Sequence, residues 1–299
     1  MFIFPLIASF VSFIFAGLLI KQYLERKKPY QLAWGISLAL FGIGAAAETI
    51  ATVQTWDELL VKIYYIFGGT LIVGVLGLGS LYVSGDHDAG SPTATFLLGR
   101  RFNTLISTSL TFLLWLMIYG LAKNMFANNI NVALLITALH VSLIITALFF
   151  KDKVPQVFLA VLLIGGILAA SAVWSSGIDP LKLSEIQGWH ALNRTLGIRS
   201  AAFGFNVIGS FIVIIGAVQS AISLYRKNIL RDKAMANILI ALGVLIVASG
   251  GTFGGLLGLG GQAAISIPMA FGVIVMFIGF LQASRPPKTV PQPKVVPTT

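Results

Sequence analysis

Apolar residues run along this chain in long stretches broken by short polar connections. The hydrocarbon core of a bilayer takes roughly 20 apolar residues per crossing helix. Measured against that length, the pattern predicts nine transmembrane helices, at 2–20, 31–53, 63–83, 102–122, 131–150, 154–174, 201–225, 234–257 and 263–282. The stretch 234–284 carries no charge over 51 residues and is long enough for two helices, joined at the Gly-rich turn Gly258 to Gly261. The first segment lacks a basic leader and a small-residue cleavage site, so it is expected to remain as a span rather than be removed as a signal peptide.

The connections orient the bundle. Short loops rich in Lys and Arg stay on the cytoplasmic side. With the N-terminus outside, only Lys62, Lys123, Lys182, Arg194 and Arg199 face outward, and the remaining 15 of the 20 basic residues face the cytoplasm. A miscount by one span would put strongly basic loops on the wrong side, so the charge bias supports the count. The expected fold is therefore an all-α polytopic membrane protein, one bundle over 1–282, with the N-terminus outside and the C-terminus cytoplasmic. Residues 283–299, with five prolines, are expected to form a disordered cytoplasmic tail.

Composition agrees with that class. Of 299 residues 57% are hydrophobic and 10% charged, against about 25% charged in soluble proteins, and the mean hydropathy is +0.92. The net charge of +10 lies between the spans and does not call for nucleic acid as a partner. There is no cysteine, which removes thiolate metal sites, disulfides and a Cys nucleophile. No connection is long enough to house a nucleotide-binding, kinase or DNA-reading domain. The host membrane is expected to be a cytoplasmic (plasma) membrane, crossed many times.

Two loops carry more pattern than the rest. Between 175 and 200, Asp179 and Pro180 signal a helix start, and Ile186, Trp189, Leu192 and Leu196 follow at helical spacing, which predicts a short helix lying in the outer interface. Trp56, Trp174 and Trp189 are placed at that level as an aromatic belt. In the inner loop, Asp86, His87 and Asp88 stand in a row. Consecutive residues do not readily converge on one ion, so a solvated turn is expected there and no metal site.

An ungapped shift of 203 residues lays the first three spans on the last three, pairing Ala33 with Ala236, Ala45 with Ala248, Thr49 with Thr252 and Gly69 with Gly272. Both triplets have the same orientation, as a parallel repeat demands. Small residues at four-residue spacing, such as Gly35 and Ala39 or Gly250 and Gly254, predict close helix packing.

Chemistry is sparse. Ionisable groups inside spans are costly and mark candidate sites. Glu48 lies in the second span, roughly 7 Å below the outer interface at 1.5 Å per residue. Its burial requires either a proton or a partner. Tyr64 and Tyr65 begin the third span at a similar depth, below Lys62. Asn206, Ser210, Ser249 and Thr252 fall in the outer half of later spans, with Gln262 and Arg199 just above. The candidate ligand or proton site therefore comprises Glu48, Tyr64, Tyr65, His140, Arg199, Asn206 and Thr252. The alternative for Glu48 is a structural hydrogen bond to Tyr64 or Tyr65. His140, mid-span, suits a proton relay or a hydrogen bond to a neighbouring helix. His87 and His190 lie in loops on opposite sides, so a bis-imidazole haem and other cofactors are not expected.

No HExxH, GxSxG or Walker motif is present, and no enzyme activity is expected. Three readings remain: a transporter-like or ligand-binding protein with a polar outward-facing site, a non-catalytic subunit of a larger membrane complex with lipid or quinone contacts, and a sensory bundle signalling to a separate cytoplasmic chain. The partners expected are the lipid bilayer, a small-molecule ligand, and other membrane subunits or further copies of the chain.

Overall fold

The computed structural model describes residues 2–85, 154–185, 187–226, 231–256 and 262–284, with isolated positions at 131, 134, 138, 141, 142 and 145. The predicted spans at 102–122 and 131–150, together with His140, the 86–101 loop, the turn at Gly258 to Gly261 and the tail from 285, lie outside the described residues, those isolated positions apart. The described chain is helical, without a β-strand. Among the described residues six helices are long and apolar enough to cross a membrane, and a seventh has a shorter apolar stretch over Ala234–Gly250. The protein is an all-α multi-pass membrane protein.

Helix α1 spans Ile3–Arg26 and α2 spans Pro29–Gln54. The turn between them is tight because Lys27 adopts a left-handed conformation (φ 54°) and closes α1 through its N–H to Tyr23 O at 2.7 Å. Pro29 then opens α2 at a position where its missing N–H leaves nothing unbonded. Asp57 caps the next helix by accepting from Leu60 N at 2.7 Å. That helix, α3 (Glu58–Ile63), passes into a π-helical segment at Tyr64–Thr70 and, after Leu71, into α4 (Ile72–Gly85). Further along are α5 (Val154–Ser175), the single turn α6 (Pro180–Leu183), a 3-10 turn (Gly188–Ala191), α7 (Leu196–Arg226), α8 (Arg231–Leu256) and α9 (Gln262–Ala283).

The surface reverses the soluble pattern. Phe10, Ile167 and Phe203 are exposed, while Ser9, Ser12, Ser37, Glu48, Gln262 and Ser266 are buried. In lipid the apolar face turns outward, and buried hydroxyls must find partners inside. Ser9 donates to Gly42 O at 3.0 Å and Ser37 to Ile72 O at 2.7 Å, each joining two helices.

Six helices close a ring. α1 packs on α2, α2 on α4, α4 on α7, α7 on α8, α8 on α9, and α9 returns to α1, with α5 set against α4 and α7. Exchanging α1 with α7, α2 with α8 and α4 with α9 leaves these neighbour relations unchanged, which is the arrangement a repeat of the two triplets requires. Relative directions follow from the contacts. Phe15 meets Phe277 and Phe280, and Gln22 bonds Ser284, so α1 and α9 run the same way. Asn206 bonds Gly69 and Gly216 faces Ser80, so α4 and α7 do too. α5 runs opposite to α3 and α4, with Lys62 at Trp174, Leu71 at Gly166 and Gly74 at Leu162. The C-terminal end of α4 and the N-terminal end of α5 therefore lie at the same end of the bundle.

One local feature is new and one local expectation is corrected. The third span is not one regular helix. Its first turns widen at Tyr64–Thr70, where Thr70 Oγ1 donates to Tyr65 O and Asn206 Nδ2 to Gly69 O, both at 2.8 Å. In place of the one short helix expected there, the described residues of the 175–200 loop form two separate turns, Pro180–Leu183 and Gly188–Ala191. An antiparallel bridge between Ile178 and Leu192 ties its two ends, with Asp179 N on Ala191 O at 2.8 Å and Asn193 N on Gly177 O at 3.0 Å. This closure folds Trp189 inward. Trp56 and Trp189 are both 4% exposed and pack on one another, and only Trp174, at 59%, has the exposure of a belt residue.

Candidate functional site around Glu48

Small residues bring the C-terminal half of α2 close to its neighbours. Gly44 lies against Gly68 so tightly that a Cβ on Gly44 would stand 2.5 Å from the Gly68 Cα. Ala45, Ala47 and Ala51 are buried on the same helix. Within this seam Glu48 is fully buried.

The partners of Glu48 come from its own helix and from the first turns of α9. Its Oε1 accepts from Gln262 Nε2 at 3.4 Å and forms a short hydrogen bond with Ser266 Oγ. Gln262 Nε2 also donates, at short range, to Thr52 Oγ1, and Thr52 in turn donates to Glu48 O at 2.7 Å. Ser266 Oγ lies 2.8 Å from Gln262 O. The other carboxyl oxygen, Oε2, is buried and has no hydrogen-bond partner among the described residues. The described ion pairs, Lys62 with Glu58 and Lys182 with Asp179, do not involve Glu48.

Counting hydrogens shows what this arrangement permits. A serine hydroxyl has one proton to donate, yet Ser266 faces two acceptors, Gln262 O and Glu48 Oε1. As a carboxylate, Glu48 receives the Ser266 proton. As a carboxylic acid, Glu48 donates to Ser266, and Ser266 donates to the Gln262 carbonyl. Both forms fit the same heavy-atom positions.

Of the sequence-predicted residues, Tyr64 and Tyr65 lie nearby in the π-helical segment, their rings 6.0 Å apart at 89°. Tyr64 is close enough to feel the charge of Glu48, but the hydrogen bonds of Glu48 run to α9 and not to either tyrosine. The alternative of a structural bond to a tyrosine is not what is found: the carboxyl group bonds Ser266 and Gln262. Tyr65 faces the exposed Arg194 and lies near Arg199. Asn206 serves the widened helix through Gly69 O and does not touch Glu48. Thr252 lies on α8, its side chain outside the described set. Thr52 and Ser266 were missed. Each stands four residues from a named group, Thr52 from Glu48 and Ser266 from Gln262, and that spacing is the signal that places them on the same helix faces.

Above the carboxyl group sits an aromatic cluster. Trp56 lies 5.5 Å from Tyr64 and 5.6 Å from Trp189, Tyr64 lies 5.9 Å from Trp189, and His190 stacks edge-on to Trp189 at 5.6 Å. Burial, and then the neighbouring Arg194 guanidinium, hold the His190 imidazole below the usual histidine value. Lys62 Nζ bonds Glu58 Oε1 at 2.6 Å and Trp174 O at 2.8 Å, placing a cation on the C-terminus of α5. Among the described residues no three of His, Asp and Glu converge as metal ligands.

No family model matches this chain, no curated protein matches its sequence, and no solved structure matches its fold.

Proposed function

We propose that this multi-pass membrane protein is transporter-like or ligand-binding, with Glu48 as its working group. In this reading the bundle has nine spans in a plasma membrane, with the N-terminus outside and the C-terminus cytoplasmic. It performs no covalent chemistry. The observation that carries the reading is the fully buried Glu48 carboxyl group, whose Oε2 lacks a partner. A purely structural carboxyl group would have both oxygens bonded, because an unpaired buried acceptor costs about 1–3 kcal/mol. The Ser266 relay supports the reading further, since it accommodates gain and loss of a proton without moving a helix.

Native mass spectrometry of the chain, extracted gently from its own membrane, tests the proposal. The expected result is a lone chain or homo-oligomer that retains a defined small molecule, lost in Glu48→Gln. A stable assembly with other chains, unchanged by Glu48→Gln and carrying no such molecule, overturns the proposal in favour of a packing subunit.

A further inference from the structure

The surroundings of Glu48 Oε2 also bear on what kind of ligand it receives, an inference that rests on the reading of Glu48 as the working group. Ala51, one turn beyond Glu48, belongs to the apolar cluster that contains Trp56, Tyr65 and Trp189, and Tyr64 and Ile265 pack against it. Ile265 is the sequence neighbour of Ser266. The aromatic cluster therefore adjoins the carboxyl site, with Tyr64 close enough to feel the charge of Glu48.

Aromatic faces carry negative quadrupole density and attract cations, most strongly when both are removed from water. A buried carboxylate does the same through its charge. Neither feature favours an anion, and a neutral apolar molecule would leave Oε2 without a partner. The absence of converging ligands among the described residues argues against a metal ion. Of the basic groups nearby, Arg194 is hydrogen-bonded to Tyr65 and Arg199 lies near it, both with exposed side chains whose charge water screens, and Lys62 is paired with Glu58. We infer that the Glu48 site takes a monovalent organic cation, a protonated or quaternary amine with an apolar body, its charge on Oε2 and its body against Tyr64 and Trp189. In the described state these rings pack on each other, so binding exchanges ring–ring for ring–cation contacts. A protonated Glu48 cannot neutralise the ligand, so proton and cation exclude one another at the site.

The test uses the full chain in lipid nanodiscs and two probes of the same shape, benzyltrimethylammonium and its uncharged isostere neopentylbenzene. Saturable binding of the cation is expected, at least about tenfold tighter than binding of the isostere. It should weaken as the pH is lowered, fall about tenfold or more in Glu48→Gln, and recover in part in Glu48→Asp, which keeps the charge. Equal affinity for the two probes, or cation binding untouched by Glu48→Gln, overturns the inference. The infrared C=O band of a protonated carboxyl group, absent in Glu48→Gln and responsive to a pH step, is read on the same samples. If that band and the Glu48-dependent small molecule persist while the cation does not bind, the cation class falls and Glu48 remains the working group. Loss of all three overturns both.

Discussion

The Glu48 carboxyl oxygen and the Ser266 hydroxyl tie α2 to α9, 218 positions apart in the chain. This bond joins the second helix of the chain to the last one described, and Gln262 reinforces it through Thr52 one turn further along α2. A buried polar network of this kind is stable only while its members keep their partners.

Ser266→Ala should therefore destabilise the protein by about 1–3 kcal/mol, since it strips a buried carboxyl group of its closest partner. Glu48→Gln should cost less than Glu48→Ala, because an amide keeps both the volume and a hydrogen bond to Ser266. Thermal unfolding in detergent micelles orders the three. A Ser266→Ala protein as stable as wild type would show that the bond contributes nothing.

The approach of Gly44 to Gly68 leaves no room for a methyl group on Gly44, whereas one on Gly68 would stand 3.1 Å from the Gly44 Cα. Gly44→Ala is expected to force α2 away from the π-helical segment and to cost about 1–3 kcal/mol, as overpacked sites do. Gly17 on α1 has nothing within 4 Å of a would-be Cβ. Gly17→Ala should be neutral or stabilising by up to about 1 kcal/mol through helix propensity. Melting temperatures of the two variants are expected to move in opposite directions or, at the least, to differ clearly.

His190 gives a signed pH dependence. Its imidazole is held below the usual value by burial and by Arg194, so between the folded value and about 6.5 the unfolded chain binds more protons than the folded one. The contribution of His190 to stability is thus present at neutral pH and lost as the pH falls through that window. His190→Gln should flatten this part of the stability profile. An NMR titration placing the imidazole at or above the ordinary histidine value would contradict the assignment.

The absence of native cysteine makes orientation directly measurable. Single cysteines at Ser184 and Asn193 should react with an impermeant thiol reagent applied from outside. Those at Ser91 and Thr298 should react only after the membrane is opened. The reverse pattern would invert the topology, and labelling of Ser91 and Ser184 from the same side would break the alternation of spans.

The membrane class and the positions of the described spans were legible in the sequence because they depend on local quantities, apolar length and the placement of Lys and Arg. α2, α5 and α9 fall within a few residues of the predicted segments. Glu48 stood out for a similar reason, as an acidic residue inside a predicted span. What only the tertiary structure decided is who meets whom. Ser266 is one serine among many until α9 is laid beside α2, and the widening at Tyr64–Thr70 depends on Asn206 of α7 reaching Gly69. Trp189 reads as an interface residue from its spacing, yet the bridge between Ile178 and Leu192 turns it inward onto Trp56. Hydrophobicity acts residue by residue and survives in one dimension. A hydrogen bond or a ring contact requires two groups within a few ångströms, and in a bundle this apolar only the path of the backbone decides which two those are.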